Sequence, residues 1–108
     1  MIRESERACA DVEILRKIED SGANLDGPVD IDWYFHFPSA EKAQVASESF
    51  TEHEYTVRLE EPIDSDGWLV TASLHAQIDL RYIIHMSAML DWVATDFGGR
   101  FDGWGVRI

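Results

Sequence analysis

The spacing of apolar residues changes between two periods along the chain, and this predicts an ordered series of helices and strands. Near the N-terminus, apolar side chains recur at three- and four-residue steps, the period of a helix with one buried face. We predict a first helix within residues 1–22, with Gly22 at its end, because glycine readily adopts the left-handed conformation that follows a helix. Its apolar residues are Ala8, Val12, Leu15 and Ile18.

The next apolar pattern has a period of two, which is typical of a strand buried on one side. It follows a turn-rich segment at residues 24–30 and covers residues 31–37, where Ile31, Trp33, Phe35 and Phe37 alternate with Asp32, Tyr34 and His36. Pro38 ends this strand. Ser39 can cap a second helix with an apolar stripe of Ala43, Ala46 and Phe50, because its hydroxyl accepts a hydrogen bond from a free amide at the helix start.

The second half of the chain predicts a hairpin, a long helix and a final strand. Residues 55–60 and 68–76 are the two hairpin strands, joined by turn-forming residues at 61–67. Asp79 caps the long helix, glycines 98 and 99 end it, and residues 100–108 form the last strand. The helical spacing predicts core positions at Ile83, Met86, Leu90, Val93 and Phe97, and the same spacing favours core packing over a binding stripe for Met89.

The predicted order of elements is helix, strand, helix, strand, strand, helix, strand. After the first helix, this is the split βαβ pattern of an α+β ferredoxin-like sandwich. We expect strand order 4-1-3-2, antiparallel neighbours and two helices on one face. The sequence therefore predicts a single domain at 1–108, in which an N-terminal helix at 1–22 is added to a βαββαβ core at 31–108.

Charge narrows the classes of partner. The chain of 108 residues has 9 Lys and Arg against 21 Asp and Glu, a formal net charge of -12 spread over both halves. Nucleic acids and anionic membranes are bound largely through Lys and Arg, so neither is expected as a direct partner. A single cysteine, a charged N-terminus and the lack of a long apolar run indicate a soluble cytoplasmic protein in a reducing compartment.

Polar residues on two predicted strands mark a candidate binding face. With strands one and three antiparallel, we expect Asp32 near His75, and His36 near Thr71 or Leu69, on the face without helices. A histidine held by a carboxylate can do acid–base work, so a small enzymatic or ligand-binding domain is one alternative. A solvated or partner-covered face, or a dimerisation surface, is the other. The candidate binding face comprises Asp32, Tyr34, His36, Thr71, Ser73 and His75.

No catalytic residue, metal ligand or cofactor is predicted. The four histidines, His36, His53, His75 and His85, do not fall into HxH or HxxxH pairs, and the chain has no CxxC motif. RNA-recognition domains share the predicted element order, but they stack bases on strand aromatics in a basic setting. Here only Tyr34 would be suitably placed, and the net charge opposes RNA binding.

One C-terminal motif points to a family. A long helix with a glycine stop, followed by Asp102, Gly103, Trp104 and Gly105, resembles the regulator of ribonuclease activity B family, also called RraB-like proteins. The first strand, around residues 33–37, and the second, around 54–57, extend the similarity. We expect the two glycines to let the strand bend or bulge, Asp102 to bond nearby backbone amides, and Trp104 either to fill the core or to contact a partner.

The resemblance implies a ferredoxin-like fold and a non-enzymatic function. Founding members of the family bind ribonuclease E, damp its cleavage of RNA and alter the composition of the degradosome. A protein partner, ribonuclease E or another degradosome component, is therefore expected, and an acidic surface docking on a basic segment would suit that role. Founding members continue into an acidic tail, whereas this sequence ends four residues after Trp104.

Overall fold

A computed structural model describes residues 4–22, 26–61 and 67–107 and, within helix α1, side chains from Asp11 onward. In these ranges the chain is a mixed α+β structure with three helices and a four-stranded antiparallel sheet. In chain order the elements are α1 (Glu4–Asp20), β1 (Val29–Phe37), α2 (Ala40–Glu52), β2 (Thr56–Glu60), β3 (Trp68–Ala76), α3 (Leu80–Asp96) and β4 (Arg100–Arg107).

The sheet places β1 at its centre. From one edge to the other the order is β4-β1-β3-β2, with each neighbouring pair antiparallel, and this is the strand order predicted from the sequence. In the register, Trp33 lies opposite Ala72 on β3 and opposite Trp104 on β4. Trp33 and every second residue of β1 on either side of it therefore face the core, and the residues between them face the other side of the sheet.

The caps of α2 and α3 confirm the predicted helix starts. The Ser39 hydroxyl accepts a hydrogen bond from the amide of Lys42 at 3.2 Å, and the Asp79 carboxylate accepts one from the amide of Tyr82 at 2.9 Å. Gly98 follows α3 with a φ of 78°, the left-handed conformation expected of a glycine stop. Sequence signals therefore located both helix starts and the end of α3.

Aromatic residues fill the core between the sheet and the helices. The ring of Phe35 lies 4.8 Å from that of Phe50 on α2, and the ring of Trp33 lies 6.2 Å from that of Trp104, measured between centroids. These separations are in the range preferred by aromatic pairs. Ile83 and Leu90 of α3 belong to the same buried cluster, so α2 and α3 cover the same face of the sheet.

A β-bulge interrupts the pairing of β4 with β1. Gly103 pairs with Tyr34 and Phe101 pairs with Phe35, which leaves Asp102 as the extra residue on β4. Gly103 has a φ of 120°, a conformation that L side chains rarely adopt. Of the bend or bulge expected at the two glycines, the structure has the bulge, with the positive φ at Gly103.

Some predictions differ from the structure or lie outside it. Met89, predicted to be in the core, is 42% exposed, whereas Met86 and Leu90 are buried as predicted. Tyr55, predicted as the first residue of the second strand, precedes β2 and is half-buried. Some predictions lie outside the described residues. They concern the side chain of Ala8, most of the turn at 61–67, part of the turn at 24–30, and Ile108.

Candidate functional site

The candidate binding face lies on the side of the sheet away from α2 and α3. The expected pairing of Asp32 with His75 was wrong by two residues. Asp32 lies opposite Ser73, whose hydroxyl donates a hydrogen bond to it at 2.5 Å. His75 lies opposite Asp30, with its Nδ1 atom 2.9 Å from the Asp30 carboxylate. His36 lies opposite Leu69, one of its two expected neighbours. A shift of two residues keeps every side chain on its predicted face, so the grouping of the six residues is preserved although their pairing is changed.

Charged side chains on this face are paired with one another. The guanidinium of Arg107 lies 3.2 Å from Asp32, and that of Arg58 lies 2.9 Å from Glu60. Asp102 binds the side chains of both His36 and Arg100, the latter at 2.7 Å, rather than the backbone amides that we expected. The bulge directs Asp102 toward these two groups, which explains why an acidic residue occupies that position.

Tyr34 lies at the centre of the face and leans over β4. A Cβ atom at Gly105 would meet the Tyr34 hydroxyl at 3.4 Å, so the missing side chain at Gly105 gives the phenol its room. Burial is the main cause that raises the pKa of Tyr34, and the carboxylate of Asp32 raises it further. The guanidinium groups of Arg58 and Arg107 lower it in part.

Thr71 lies beside Tyr34 and is closed off from solvent. Its side chain is 2% exposed although no helix covers this side of β3, and in the described part of the chain its hydroxyl has no hydrogen-bond partner. The neighbouring side chains therefore cover the centre of the face. The polar side chain of Thr71 is therefore not available to solvent at the centre of this face.

A shallow depression of about 290 Å³ lies at one end of this face. It is lined by His36, Phe37, Pro38, Gly98, Gly99 and Arg100, and it includes one member of the candidate binding face, His36. Among the described residues, no three His, Cys, Asp or Glu side chains are grouped closely enough to hold a metal ion. No helix in the described ranges has both the length and the apolar character needed to cross a membrane.

Trp104 of the C-terminal motif lies on the opposite side of the sheet from the candidate binding face, in the core. The indole of Trp104 is 5% exposed and donates a hydrogen bond at 2.9 Å to Asp11 of α1. The same carboxylate oxygen accepts a hydrogen bond at 3.2 Å from the hydroxyl of Ser87 on α3, and Asp11 is itself 3% exposed. Trp104 thus fills the core, the first of its two predicted roles, and links α1, α3 and β4.

Sequence reasoning missed two residues that the structure makes prominent. Asp11 shares a helix face with Leu15 and Ile18, and a carboxylate at such a core position is the signal that could have found it. Trp92 of α3 is 70% exposed, and it falls outside the three- and four-residue spacing of the core positions on that helix. Trp92 and Met89 are large apolar residues on one exposed side of α3.

The negative charge is unevenly distributed among the elements. The four strands together carry four Asp or Glu and three Arg, so the sheet is close to neutral. Helices α2 and α3 together carry five Asp or Glu against Lys42 and Arg81. The acidic character of the protein therefore lies on the helices and loops rather than on the candidate binding face.

Fold and surface together define a small acidic α+β protein whose polar sheet face is internally paired. The sequence model of the family described as "Regulator of ribonuclease activity B" (RraB) matches residues 9–106, nearly the whole chain. The protein belongs to this family, as its C-terminal motif suggested. A search of curated proteins finds no match. The matched region begins within α1 and includes Asp11.

Proposed function

We propose that this protein is a non-enzymatic regulator that binds a ribonuclease and slows its cleavage of RNA, with ribonuclease E or another degradosome component as the partner. The observation that carries the proposal is the match of the family of regulators of ribonuclease activity over residues 9–106. We place this activity in the cytoplasm, where RNA decay occurs. RNA itself is not a ligand in this proposal.

The distribution of charge supports a protein partner of basic character. A surface with surplus carboxylates attracts Lys- and Arg-rich segments and repels nucleic acid. The surplus lies on the helices, while the carboxylates of the sheet face have basic neighbours. A partner drawn by charge would therefore approach the helices.

We further propose that residues 1–108 form one domain of the ferredoxin-like type, with α1 as an integral part. The strand order and the position of α2 and α3 on one side of the sheet support the fold assignment. The hydrogen bonds of Asp11 to Ser87 and Trp104 support the inclusion of α1.

The test is a cleavage assay with purified ribonuclease E and an RNA substrate at increasing concentrations of this protein. We expect slower cleavage at saturation and retention of the ribonuclease on the immobilised protein, with retention lost at raised salt because the contacts are electrostatic. The proposal fails if the protein neither retains a ribonuclease nor slows cleavage at saturating concentration.

Two alternatives from the sequence stay predictions: a ligand-binding or enzymatic role for the polar sheet face, and a dimerisation module. Histidines of this face whose pKa values change when a ligand binds would support the first. A concentration-dependent dimer in sedimentation would support the second, although two copies with a charge of -12 each repel one another.

A further inference from the structure

One exposed side of α3 carries two large apolar residues, a histidine and one carboxylate in a single row. His85, Met89, Trp92 and Asp96 follow one another at steps of four, three and four residues, so they lie along the same side of the helix. All four side chains are exposed, and Trp92 is the most exposed large apolar residue among those described. These four residues are called the α3 ridge below.

The α3 ridge has the chemistry of a site for arginine. An exposed indole attracts a guanidinium group over its face, and Arg is the cation most often found there. Asp96 lies one helical turn beyond Trp92, where its carboxylate can pair with the same guanidinium group. The α3 sequence contains no Lys or Arg after Arg81, so the helix itself places no competing cation beside Trp92.

We propose that the α3 ridge is the docking surface for an arginine-containing segment of a partner protein, in which an Arg stacks on Trp92 and pairs with Asp96 while an apolar side chain packs on Met89. This inference rests on the proposed function, since it places the partner's contact on this protein. The ridge is roughly 16 Å long at the helical rise per residue, which an extended segment of about five residues spans.

Charge favours this occupant over a second copy of the chain. Helix α2, on the same side of the sheet, adds the exposed carboxylates Glu41, Glu48 and Glu52 and has one basic residue, Lys42. Two such acidic surfaces brought together would repel each other, whereas a basic segment would be attracted. The sheet face offers no comparable attraction, because its carboxylates already have basic neighbours.

The probe is a short fluorescein-labelled peptide in which arginines alternate with serines around one leucine. Its control replaces every arginine with citrulline, which keeps the shape and removes the charge. We expect the full-length protein to bind the arginine peptide and not the citrulline peptide. Trp92→Ala should weaken binding about tenfold or more, because an exposed aromatic anchor often dominates a contact. Asp96→Asn should weaken it by about threefold.

Matched variants control for general effects on fold and charge. Leu80→Ala removes another exposed apolar side chain from α3, away from the ridge, and Glu13→Gln removes an exposed carboxylate from α1. Both should bind the peptide as the unmodified protein does. Thermal unfolding of Trp92→Ala should match that of the unmodified protein, since its side chain is mostly in solvent.

Three results would overturn the proposal. One is unchanged peptide affinity in Trp92→Ala, and another is equal binding of the citrulline peptide. The third is a dimer in sedimentation that Trp92→Ala converts to a monomer, which would identify the ridge as a contact between copies. The proposed regulator role is judged separately. If Trp92→Ala still inhibits the ribonuclease as strongly as the unmodified protein, the α3 ridge is not the docking surface, but the regulator role stands. If the unmodified protein binds the arginine peptide through Trp92 but does not inhibit the ribonuclease, the docking surface stands and the regulator role fails.

Discussion

The indole of Trp104 and the carboxylate of Asp11 are joined by a buried hydrogen bond of 2.9 Å, although the two residues are 93 positions apart in the chain. Ser87 donates to the same oxygen, so one carboxylate holds the N-terminal helix, the last helix and the last strand together. The tryptophan of the family motif is therefore tied to a residue at the opposite end of the matched region. Removing the carboxylate tests this relationship.

Asp11→Ala should lower the free energy of unfolding by about 2–4 kcal/mol, because it leaves the buried indole N–H and the Ser87 hydroxyl without their acceptor. Urea denaturation followed by circular dichroism measures the loss. Glu13→Ala, an exposed position two residues away, is the control and should change stability by less than about 0.5 kcal/mol. Equal losses in the two variants would contradict the assigned role of Asp11.

The two motif glycines should respond differently to alanine. Gly103→Ala should cost about 1–3 kcal/mol because it forces a Cβ atom onto a backbone with a φ of 120°. Gly105→Ala should cost less than about 1 kcal/mol, because its Cβ would lie 3.4 Å from the Tyr34 hydroxyl, a van der Waals contact, on a backbone without a positive φ. Chemical denaturation of both variants under one set of conditions gives the comparison, and a larger loss at Gly105 would reverse the assignment.

The three tyrosines predict how stability changes at high pH. Burial raises the pKa of Tyr34, Tyr55 and Tyr82 above the ordinary value of 10.0. The folded protein therefore holds these phenol protons more tightly than the unfolded chain. Their contribution to stability is complete below pH 10 and is lost as the pH rises through the raised pKa values. Absorbance near 295 nm follows the titration, and a midpoint at the ordinary value in the folded protein would contradict it.

Arg107 offers a more specific check on Tyr34. Arg107→Gln removes a cation that lowers the Tyr34 pKa, so the titration of this phenol should move further upward. Arg16→Gln, on α1, removes an equal charge and should leave the Tyr34 titration unchanged. The two variants separate the local effect of the guanidinium group from the change in net charge.

Thr71→Val tests whether the buried Thr71 hydroxyl lowers the stability of the fold. The Thr71 hydroxyl is buried without a hydrogen-bond partner in the described chain, so a methyl group in its place should raise the free energy of unfolding by about 1 kcal/mol. We expect inhibition of the ribonuclease to be unchanged. Urea denaturation measures the gain, and a Thr71→Val protein that is less stable than the unmodified protein would contradict the unpartnered state of this hydroxyl in the described residues.

Tryptophan fluorescence tests the exposure of the α3 ridge directly. Trp33 and Trp104 are buried, Trp68 is half-buried and Trp92 is 70% exposed. Trp92→Phe should therefore remove most of the emission that acrylamide quenches readily. Trp68→Phe is the control and should remove less of it. The opposite ranking would contradict the position of Trp92 in the structure.

Local signals located the elements, and long-range contacts explain what those signals missed. Ser39 and Asp79 marked helix starts because capping depends on residues within one turn. Alternation assigned Asp32 and His75 to the correct face, but it cannot distinguish registers that differ by two residues, since both preserve the face. The expected contact between Asp32 and His75 was wrong for this reason.

Individual environments were harder to predict than elements. An aspartate on a helix is usually solvated, whereas Asp11 is buried beside hydrogen-bond donors 76 and 93 residues away, Ser87 and Trp104. Met89 was assigned to the core by its spacing, yet it lies about 100° around the helix from Leu90, toward solvent. The candidate binding face was grouped correctly as a set of positions, and its role as a site stays a prediction.

The bulge at Asp102 also affects how these molecules behave at high concentration. Strand β4 forms one border of the sheet, and a border with unpaired backbone groups invites strands from other chains. The extra residue and the unusual backbone of Gly103 break the regular ladder there, and the five-residue β2 offers little length at the other border. The same irregularity that positions Asp102 thus guards the protein against edge-to-edge aggregation.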